Sequence, residues 1–570
     1  MKLAITPAAD TRAAADRPWR RPGRLQYAIR RLKGFAKVPV TVYPADRAAL
    51  VTDQDQPVAT RDGTVLRVNV HRPTGDGPFP TILFTHPYGK DNLPTRRRRG
   101  GYRVSFQYRV LRQTSAITFS DLTGWEAPDP AWWTARGYAV VNCDLRGAGS
   151  SEGVGDWFSE QEGQDIADLI EWSAAQAWSN GAVGMLGVSF LAITQWHAAA
   201  QHPPALKAIA PWEGFTDPYR GLVRPGGFPE TGFLKLWGQG MKKTRQAYSM
   251  PDISVQHPLL DGWWRSHTPD VASIDVPVLV CGSFSDNNLH SRGSVAAFEQ
   301  ISSAERHLYT HRAGKWSTFY SDEAKQAQLQ FFDRHLKGLD TPMLPTVRLE
   351  VRESADQIVE VREEKEWPLA RTQWTPLHLD GAGLIDKRGD STGSISFALK
   401  DGGARFGWTL PADLELTGPM ALRLYVSVDG TDDVDLCVAV EKWLGNTYVG
   451  FEGSYGFGRE RVTTGWQSAS LRALDEERSR PFQPVPAFTA RQPLSPGEIV
   501  PVDIALGPSS TLFRRGEQLR LVVAGRWLWS SNPITGAFPA AYRTSTPGTC
   551  TLHWGAEHDA QLLIPVIPTR

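Results

Sequence analysis

Between residues 50 and 340, short apolar runs alternate with longer segments of helical periodicity. The apolar runs lie at 65–71, 81–85, 139–144, 183–188, 206–210, 276–282 and 307–310, and a helical segment at 160–178 precedes the fourth of them. Several of these runs are continuously apolar, which is typical of strands buried on both faces of a parallel sheet. The alternation predicts an α/β fold, in which helices cover both faces of a doubly wound, mostly parallel sheet.

The pattern changes twice along the chain. A segment rich in Gly, Pro and Trp interrupts the alternation and predicts a cap inserted over the sheet. Towards the C-terminus, alternating strands separated by turn residues predict an all-β sandwich. Within the 570 residues we expect a basic N-terminal arm at 1–45 with a helix at 25–35, a catalytic domain at 46–211 and 271–343, the cap at 212–270, and the sandwich at 344–570.

The charge and composition of the chain argue against some classes of binding partner. Lys and Arg number 62 and Asp and Glu 61, so the net field does not favour nucleic acid as a partner. The N-terminus lacks the apolar core of a signal peptide, and no stretch has the roughly 18 apolar residues of a membrane-spanning helix. We therefore expect a cytoplasmic protein. Its oligomeric state stays open, with a homo-oligomer as one option.

The four cysteines show no metal-ligand spacing. They are scattered along the chain, at Cys143, Cys281, Cys437 and Cys550. Scattered cysteines inside apolar runs are typical of buried thiols. We expect neither a metal ion nor an organic cofactor.

Ser189 stands where an apolar strand runs into a helical segment, in the sequence VGMLGVSFLAITQW at 183–196. Such a strand–turn–helix lifts a hydroxyl above the edge of a sheet, next to N–H groups that can hold an oxyanion. Gly187 relieves crowding in the turn, although the second glycine of the general motif is replaced by Leu191. The alternative is that Ser189 only caps the helix. We predict that Ser189 is a catalytic nucleophile.

A nucleophilic serine needs a histidine to take its proton and a carboxylate to orient that histidine. In this type of fold the acid and then the histidine follow the serine along the chain, past the carboxyl ends of later strands. Asp286 and His311 each follow such a strand, so they are the predicted acid and base. His290 is the second candidate. It is ranked below His311 because it lies only four residues after Asp286 in the same loop, too near in sequence to reach across from another strand. His307 and His335 are predicted to be structural.

Two donors are predicted to hold the oxyanion. One is the N–H of Phe190, the residue after the nucleophile, and the other comes from the loop at 86–90. In that loop the Tyr88 hydroxyl is the predicted donor and His86 is a less favoured one. The alternative for Tyr88 is an aromatic side chain that only packs under the cap. Substrate contacts are expected from the cap and from the Asp286 loop. The candidates are Trp212, Phe215, Trp237, Phe284 and His290.

Several segments resemble the cocaine-esterase-like (CocE/NonD) hydrolases, which also include X-Pro dipeptidyl peptidases and α-amino-acid ester hydrolases. Pro87-Tyr88 is similar to the oxyanion tyrosine loop of this family, and Gly137-Tyr138 begins a strand that ends, as in the family, in Asp-x-Arg-Gly. The nucleophile segment resembles Gly-x-Ser-Tyr-x-Gly followed by Thr-Gln-Trp, and stretches at 501–511, 516–521 and 563–568 resemble the C-terminal jelly roll. The resemblance implies an α/β-hydrolase with an inserted helical cap and a jelly-roll domain.

The acid and base loops depart from the family pattern. The usual Gly-Trp-x-Asp corresponds to the sequence GSFSD that ends at Asp286, with one residue of slippage. The usual Gly-Pro-Trp-x-His corresponds to GKWST, which puts Thr318 at the histidine position. The choice of His311 therefore depends on its place after a strand.

The expected activity is hydrolysis of a small-molecule carboxylic ester through an acyl-enzyme. X-Pro dipeptidyl peptidase, α-amino-acid ester hydrolase or amide acylase activity is an alternative. Such activities need an acidic cluster for a substrate ammonium group, and Glu213, Asp217 and Glu230 leave that open. An alternative from a different class is a non-catalytic module that binds carbohydrate or protein.

Overall fold

The computed structural model describes residues 25, 29, 40–110, 113, 115–389, 391–456, 460–528, 540–542 and 547–568. Most of the predicted basic arm, including nearly all of the helix predicted at 25–35, lies outside these residues. Within the described ranges, no helix has both the length and the apolar character needed to cross a bilayer.

The first half of the chain is built around a large, mostly parallel sheet. Its strands, together with the short pairs beside it, are β1 (Val40–Tyr43), β2 (Leu50–Ala59), β3 (Val65–Pro73), β4 (Phe79–His86), β5 (Thr95–Arg96), β6 (Tyr102–Arg103), β7 (Ile117–Ser120), β8 (Ala139–Asp144), β9 (Ser179–Val188), β10 (Leu206–Trp212), β11 (Val278–Ser283), β12 (Arg306–His311), β13 (Val347–Ser354) and β14 (Gln357–Glu364). The large sheet has the order β2-β3-β8-β4-β9-β10-β11-β12-β13-β14, and its strands are parallel from β8 to β13. The predicted α/β fold is confirmed.

Helices cover the sheet and form the excursion above it. They are α1 (Phe106–Val110), α2 (Pro130–Thr134), α3 (Glu160–Ala174), α4 (Phe190–Ala199), α5 (Phe233–Gly240), α6 (Met250–Gln256), α7 (Gly262–Ser266), α8 (Ser291–Gln300), α9 (Lys315–Phe319) and α10 (Asp322–Lys337). Three further turns are a π-helical one at Tyr219–Val223 and 3₁₀ ones at Pro225–Gly227 and Val271–Ser273. Helices α5, α6 and α7 fall within the segment predicted to be the cap.

The C-terminal part is an antiparallel sandwich. Its strands are β15 (Gln373–Asp380), β16 (Gly383–Ile385), β17 (Gly393–Ala398), β18 (Ala404–Thr409), β19 (Leu414–Asp429), β20 (Asp435–Leu444), β21 (Thr447–Tyr448), β22 (Thr463–Ser468), β23 (Val500–Phe513), β24 (Gln518–Ala524), β25 (Thr549–Trp554) and β26 (Gln561–Ile567), with a 3₁₀ turn at Ala469–Leu471. The long β19 pairs with β23, β25 and β26, while β20 pairs with β22 and β24. Alternate residues of both layers bury a separate apolar core, as the predicted all-β domain requires.

Strands β13 and β14 connect the two parts. Both strands fall within the range predicted for the sandwich, 344–570, yet β13 pairs in parallel with β12, and β14 pairs with β13. Alternating polarity identifies a strand but does not say which sheet it joins, which is why the sequence could not place them. Strand β13 also pairs with β23 at Arg352 and Thr511, so hydrogen bonding continues from the catalytic sheet into the sandwich.

Candidate active site

Ser189 lies in the tight turn between β9 and α4. Its backbone has φ 59° and ψ −114°, a conformation that non-glycine residues rarely adopt and that marks functional turns. The Ser189 N–H donates to the Trp212 carbonyl at 3.0 Å, which fixes the turn against the end of β10. A Cβ on Gly187 would lie 2.4 Å from Leu191 Cβ, so the turn requires glycine there. The hydroxyl is thereby held over the carboxyl end of β9, as the strand–turn–helix pattern predicts.

The Ser189 hydroxyl is the first member of a hydrogen-bonded chain. Its Oγ lies 3.1 Å from Nε2 of His290, and Nδ1 of His290 lies 2.6 Å from Oδ2 of Asp286. Both partners are buried, and the Phe215 ring stacks on the imidazole with the ring centroids 6.0 Å apart. A hydroxyl, an imidazole and a carboxylate in this order form the arrangement that activates a serine nucleophile.

The loop after β11 brings Asp286 and His290 together. The Asp286 N–H donates to the Ser283 carbonyl, and the Ser291 N–H donates to the Asp286 carbonyl, so the chain coils between them. His290 is the residue that precedes α8, one helical turn beyond Asp286. Side chains four residues apart meet on one face of such a coil. The short spacing therefore allows the contact that the sequence analysis ranked second.

His311 is placed differently from its predicted position beside Ser189. Its Nε2 lies 3.0 Å from Oε1 of Glu213, and its Nδ1 lies 3.3 Å from Oγ1 of Thr318. Because His311 is the last residue of β12, it has no loop with which to reach across β11 and β10 to Ser189. The prediction that His311 contacts the nucleophile is wrong, and His290 takes that place.

Lys315 and Glu213 extend the row of interacting side chains beyond Asp286. The Lys315 ammonium lies 2.8 Å from Asp286 Oδ2, 2.8 Å from His290 Nδ1 and 3.6 Å from Glu213 Oε2, and its side chain is fully buried. Lys315 is not among the residues predicted for the site. The available signal was that a lysine replaces the proline of the Gly-Pro-Trp pattern.

The charges of this cluster keep His290 neutral. Burial lowers the pKa of His290, Lys315 lowers it further, and Asp286 acts in the opposite direction. Burial alone would raise the pKa of Asp286, but Lys315 and His290 outweigh it and hold this pKa below its usual range. Burial likewise opposes the charged form of Lys315, but Asp286 and Glu213 outweigh it and raise the pKa of the ammonium. A neutral imidazole between a carboxylate and a hydroxyl can accept the hydroxyl proton.

The predicted oxyanion donors lie beside the turn. Phe190 begins α4, so its N–H has no acceptor within the helix, and the Tyr88 ring meets the Phe190 ring edge-on at 6.3 Å. Burial raises the pKa of Tyr88 well above its usual value, which keeps the phenol protonated and able to donate. His86 is instead held by Asn142 at 2.9 Å and accepts the Tyr88 N–H, so it anchors the loop.

Glu126 is a buried carboxyl group that the sequence analysis did not consider. It lies beside the hydroxyls of Tyr88 and Ser189, in an irregular loop that gives no pattern to recognise. Among the described residues its Oε2 has no hydrogen-bond partner. Burial raises the pKa of Glu126 to about 8, against the opposing effects of Lys315 and the two hydroxyls. At neutral pH this group is therefore mainly an uncharged acid.

Two of the predicted substrate-contacting aromatics border the site. Phe215 stacks on His290, and the half-buried Trp237 stacks on Phe190 with the ring centroids 6.2 Å apart. Trp237 is also near the Tyr88 hydroxyl. Of these two rings, Phe215 is buried, with 2% of its surface exposed, and Trp237 is the more accessible one.

The other two predicted aromatics belong to the core. Trp212 is fully buried at the end of β10 and packs against Tyr309, with ring centroids 5.1 Å apart. Phe284 is fully buried after β11 and packs against Trp367 at 6.0 Å. Composition marked both as candidates, but side chains enclosed in this way cannot line a substrate pocket.

The three acidic residues considered for an ammonium site do not assemble into one. Glu213 already bonds His311, and Asp217 pairs with Arg220 at 2.8 Å. Glu230 accepts the first N–H groups of the α5 region, those of Gly232, Phe233 and Leu234. Each carboxylate is thus engaged by the protein itself.

Glu213, Cys281 and His311 place possible metal-ligand atoms within 4.8 Å of one another. The Lys315 ammonium lies 3.6 Å from Glu213, and burial raises the pKa of the Cys281 thiol well above its usual value. A metal ion requires a thiolate and would be repelled by the ammonium. This donor set is a poor fit for a cation.

Two family models match the chain. The model described as X-Pro dipeptidyl-peptidase (S15 family) matches residues 62–257. The model described as the X-Pro dipeptidyl-peptidase C-terminal non-catalytic domain matches residues 342–563. The first contains Ser189, and the second covers most of the sandwich.

Similar proteins extend over nearly the whole chain. A CocE/NonD family hydrolase from Staphylococcus aureus is 35% identical, with a TM-score of 0.86 over 91% of this chain and 94% of its own. The cocaine esterase of Rhodococcus sp. (strain MB1 Bresler) is 26% identical over 90% of this chain and 97% of its own length. An α-amino acid ester hydrolase, 16% identical, shares the fold with a TM-score of 0.67 over 92% of this chain and 98% of its own. The chain therefore belongs to the CocE/NonD family of α/β-hydrolases, which confirms the predicted enzyme class, a hydrolase of the carboxylesterase type.

Proposed function

We propose that the chain hydrolyses a carboxylic ester of a small molecule through an acyl-enzyme on Ser189. One observation carries the proposal: Ser189 Oγ lies 3.1 Å from Nε2 of His290, whose Nδ1 lies 2.6 Å from Asp286. This triad uses His290 as the base.

The reaction follows from these contacts. As Ser189 Oγ attacks the ester carbonyl carbon, His290 Nε2 takes its proton, and Asp286 stabilises the resulting imidazolium. The carbonyl oxygen becomes an oxyanion held by the Phe190 N–H and the Tyr88 hydroxyl. His290 then protonates the leaving alkoxide, and the alcohol departs. A water molecule, deprotonated by His290, attacks the acyl-enzyme and releases the carboxylic acid and Ser189.

The surroundings of the triad favour an ester without a free ammonium group. Glu213, Asp217 and Glu230 are all used within the protein. Glu126 is uncharged at neutral pH, because burial raises its pKa to about 8. Peptidases and amino-ester hydrolases of the kind considered above would need a free carboxylate at this place, and a module that only binds would need no aligned triad.

A fluorophosphonate probe and a substrate panel test the proposal together. We expect the probe to label one residue, Ser189, identified by peptide mass spectrometry, and the Ser189→Ala variant to remain unlabelled. In the panel, nitrophenyl esters of graded chain length should be turned over faster than aminoacyl nitroanilides or β-lactam side-chain esters. Labelling elsewhere, or no labelling, would refute the acyl-enzyme on Ser189, and faster release of nitroaniline would favour a peptidase.

Glu126 predicts the alkaline limit of activity. Below about pH 8 its carboxyl is protonated, and above that pH it becomes a carboxylate beside Tyr88 and Ser189. A negative charge there opposes the oxyanion, so kcat/KM for an ester should fall as the pH rises through about 8. In Glu126→Gln the fall should disappear or move to higher pH.

Glu299→Gln is the matched control for this measurement. Burial also raises the pKa of Glu299, to about 7, but its carboxylate bonds Gln483 rather than a group of the triad. The control should keep the wild-type pH profile. An unchanged alkaline limb in Glu126→Gln would show that another group sets it.

A further inference from the structure

Lys315 is a buried cation for which the proposed reaction has no step. It is the first residue of α9, and its N–H donates to the Ser454 carbonyl at 2.8 Å. The preceding Gly314 packs so closely on Gln113 that a Cβ would collide with the Gln113 amide. Lysine is rarely buried unless its charge is paired. The burial of this ammonium, on a backbone that is firmly held, points to a defined role for it.

The ammonium reaches both the acid and the base of the triad. It has three N–H donors and no acceptor, and it lies 2.8 Å from Asp286 Oδ2 and 3.6 Å from Glu213 Oε2. The Tyr455 ring lies 4.7 Å from Nζ and closes one side of this space. The same Nζ is 2.8 Å from His290 Nδ1, the atom that must carry a proton when His290 acts as the base.

Charged and titratable groups face His290 and this ammonium from several elements. They are Ser189 at the start of α4, Glu213 after β10, Asp286 after β11, Lys315 in α9, Glu126 in the loop before α2 and Tyr455 of the C-terminal part. Asp286 and Glu213 favour a positively charged imidazole, and Lys315 opposes it. Since Lys315 is the nearest cation in this set, its removal should change the balance most.

We propose that Lys315 is a positioning residue that holds Asp286 at His290 and keeps His290 unprotonated to a lower pH than an Asp–His pair alone would allow. This inference rests on the proposed function, because His290 must be the base for its protonation to limit the rate. Below the pKa of His290 the imidazole is protonated and cannot accept the Ser189 proton. Lys315 lowers that pKa, so the wild-type enzyme should remain active into the acidic range.

The pH profile of Lys315→Met tests the proposal. We expect the acid limb of kcat/KM for a nitrophenyl ester to move to higher pH by about one unit or more. Glu213→Gln is the matched control, because Glu213 acts on His290 in the opposite sense. Its acid limb should stay in place or move to lower pH. A lysine that only stabilised the fold would lower the melting temperature and leave the limb of Lys315→Met where the wild type has it, which would overturn the proposal.

A double variant guards against a single variant that does not fold. Lys315→Met leaves Asp286 and Glu213 without their shared cation, whereas Lys315→Met combined with Glu213→Gln removes one positive and one negative charge together. The double variant should still show an upward movement of the acid limb, smaller than that of Lys315→Met by whatever Glu213→Gln alone moves it to lower pH. Fluorophosphonate labelling separates the two proposals: an unlabelled wild type contradicts the proposed function, whereas normal labelling with an unmoved limb contradicts the role of Lys315 alone.

Discussion

His290→Gln will lower kcat for ester hydrolysis by about four to six orders of magnitude, whereas His311→Gln will leave it within about tenfold of the wild type. Glutamine at 290 cannot take the Ser189 proton. In the wild type this proton passes from Ser189 Oγ to His290 Nε2, which lie 3.1 Å apart. Glutamine at 311 retains an N–H that can donate to Glu213, so the buried carboxylate keeps a partner. Steady-state kinetics with a nitrophenyl ester, with melting temperatures as a check of folding, measure the difference.

The single and double variants of the triad should also retain the same residual activity. Ser189→Ala, His290→Gln and the combination of both should fall to the same residual rate, because the members of a triad act as a unit. The reverse result, a large loss in His311→Gln and a small one in His290→Gln, would restore His311 as the base. Losses that simply multiplied in the double variant would mean that the two side chains act independently.

Asp286→Asn will lower kcat by about four orders of magnitude while leaving the fold intact. An amide at 286 can donate to His290 Nδ1, which moves the imidazole proton to Nε2, where it blocks acceptance of the Ser189 proton. The variant also removes the carboxylate nearest to Lys315, at 2.8 Å. Single-turnover kinetics with a nitrophenyl ester would report the acylation step directly.

Asp217→Asn is the control for Asp286→Asn. Asp217 pairs with Arg220 in a half-buried position and has no contact with the triad among the described residues. Its loss should change kcat by less than about threefold, as is typical of ion pairs of this kind. A loss below a hundredfold in Asp286→Asn would mean that another carboxylate, such as Glu213, orients His290.

The features that the sequence revealed are those that repeat or that lie at a strand end. Continuous apolar runs identified the buried strands β4, β8 and β9, because a strand covered on both faces has no polar side. Ser189 could be found because a strand, a glycine and a helix surround it, and Asp286 because it follows β11.

The base could not be chosen from strand ends alone. His311 does follow a strand. A place at the end of a strand puts a residue at the carboxyl edge of the sheet, but it does not say whether the side chain can reach across neighbouring strands. His290 is the second candidate in the sequence because only four residues separate it from Asp286, yet a coil of one helical turn brings the two side chains to 2.6 Å. Lys315 begins the five-residue helix α9 and Glu126 lies in an irregular loop, and the position of each depends on contacts with distant parts of the chain.

Ser454 belongs to the segment whose family description is non-catalytic. Its carbonyl accepts the Lys315 N–H, and its hydroxyl donates to Glu213 at 3.2 Å. The β-rich half of the polypeptide thus supplies hydrogen bonds to two charged residues that lie behind the triad. Chimaeras that exchange this half between relatives would therefore change the surroundings of Lys315 and Glu213, and with them the pH dependence of the enzyme.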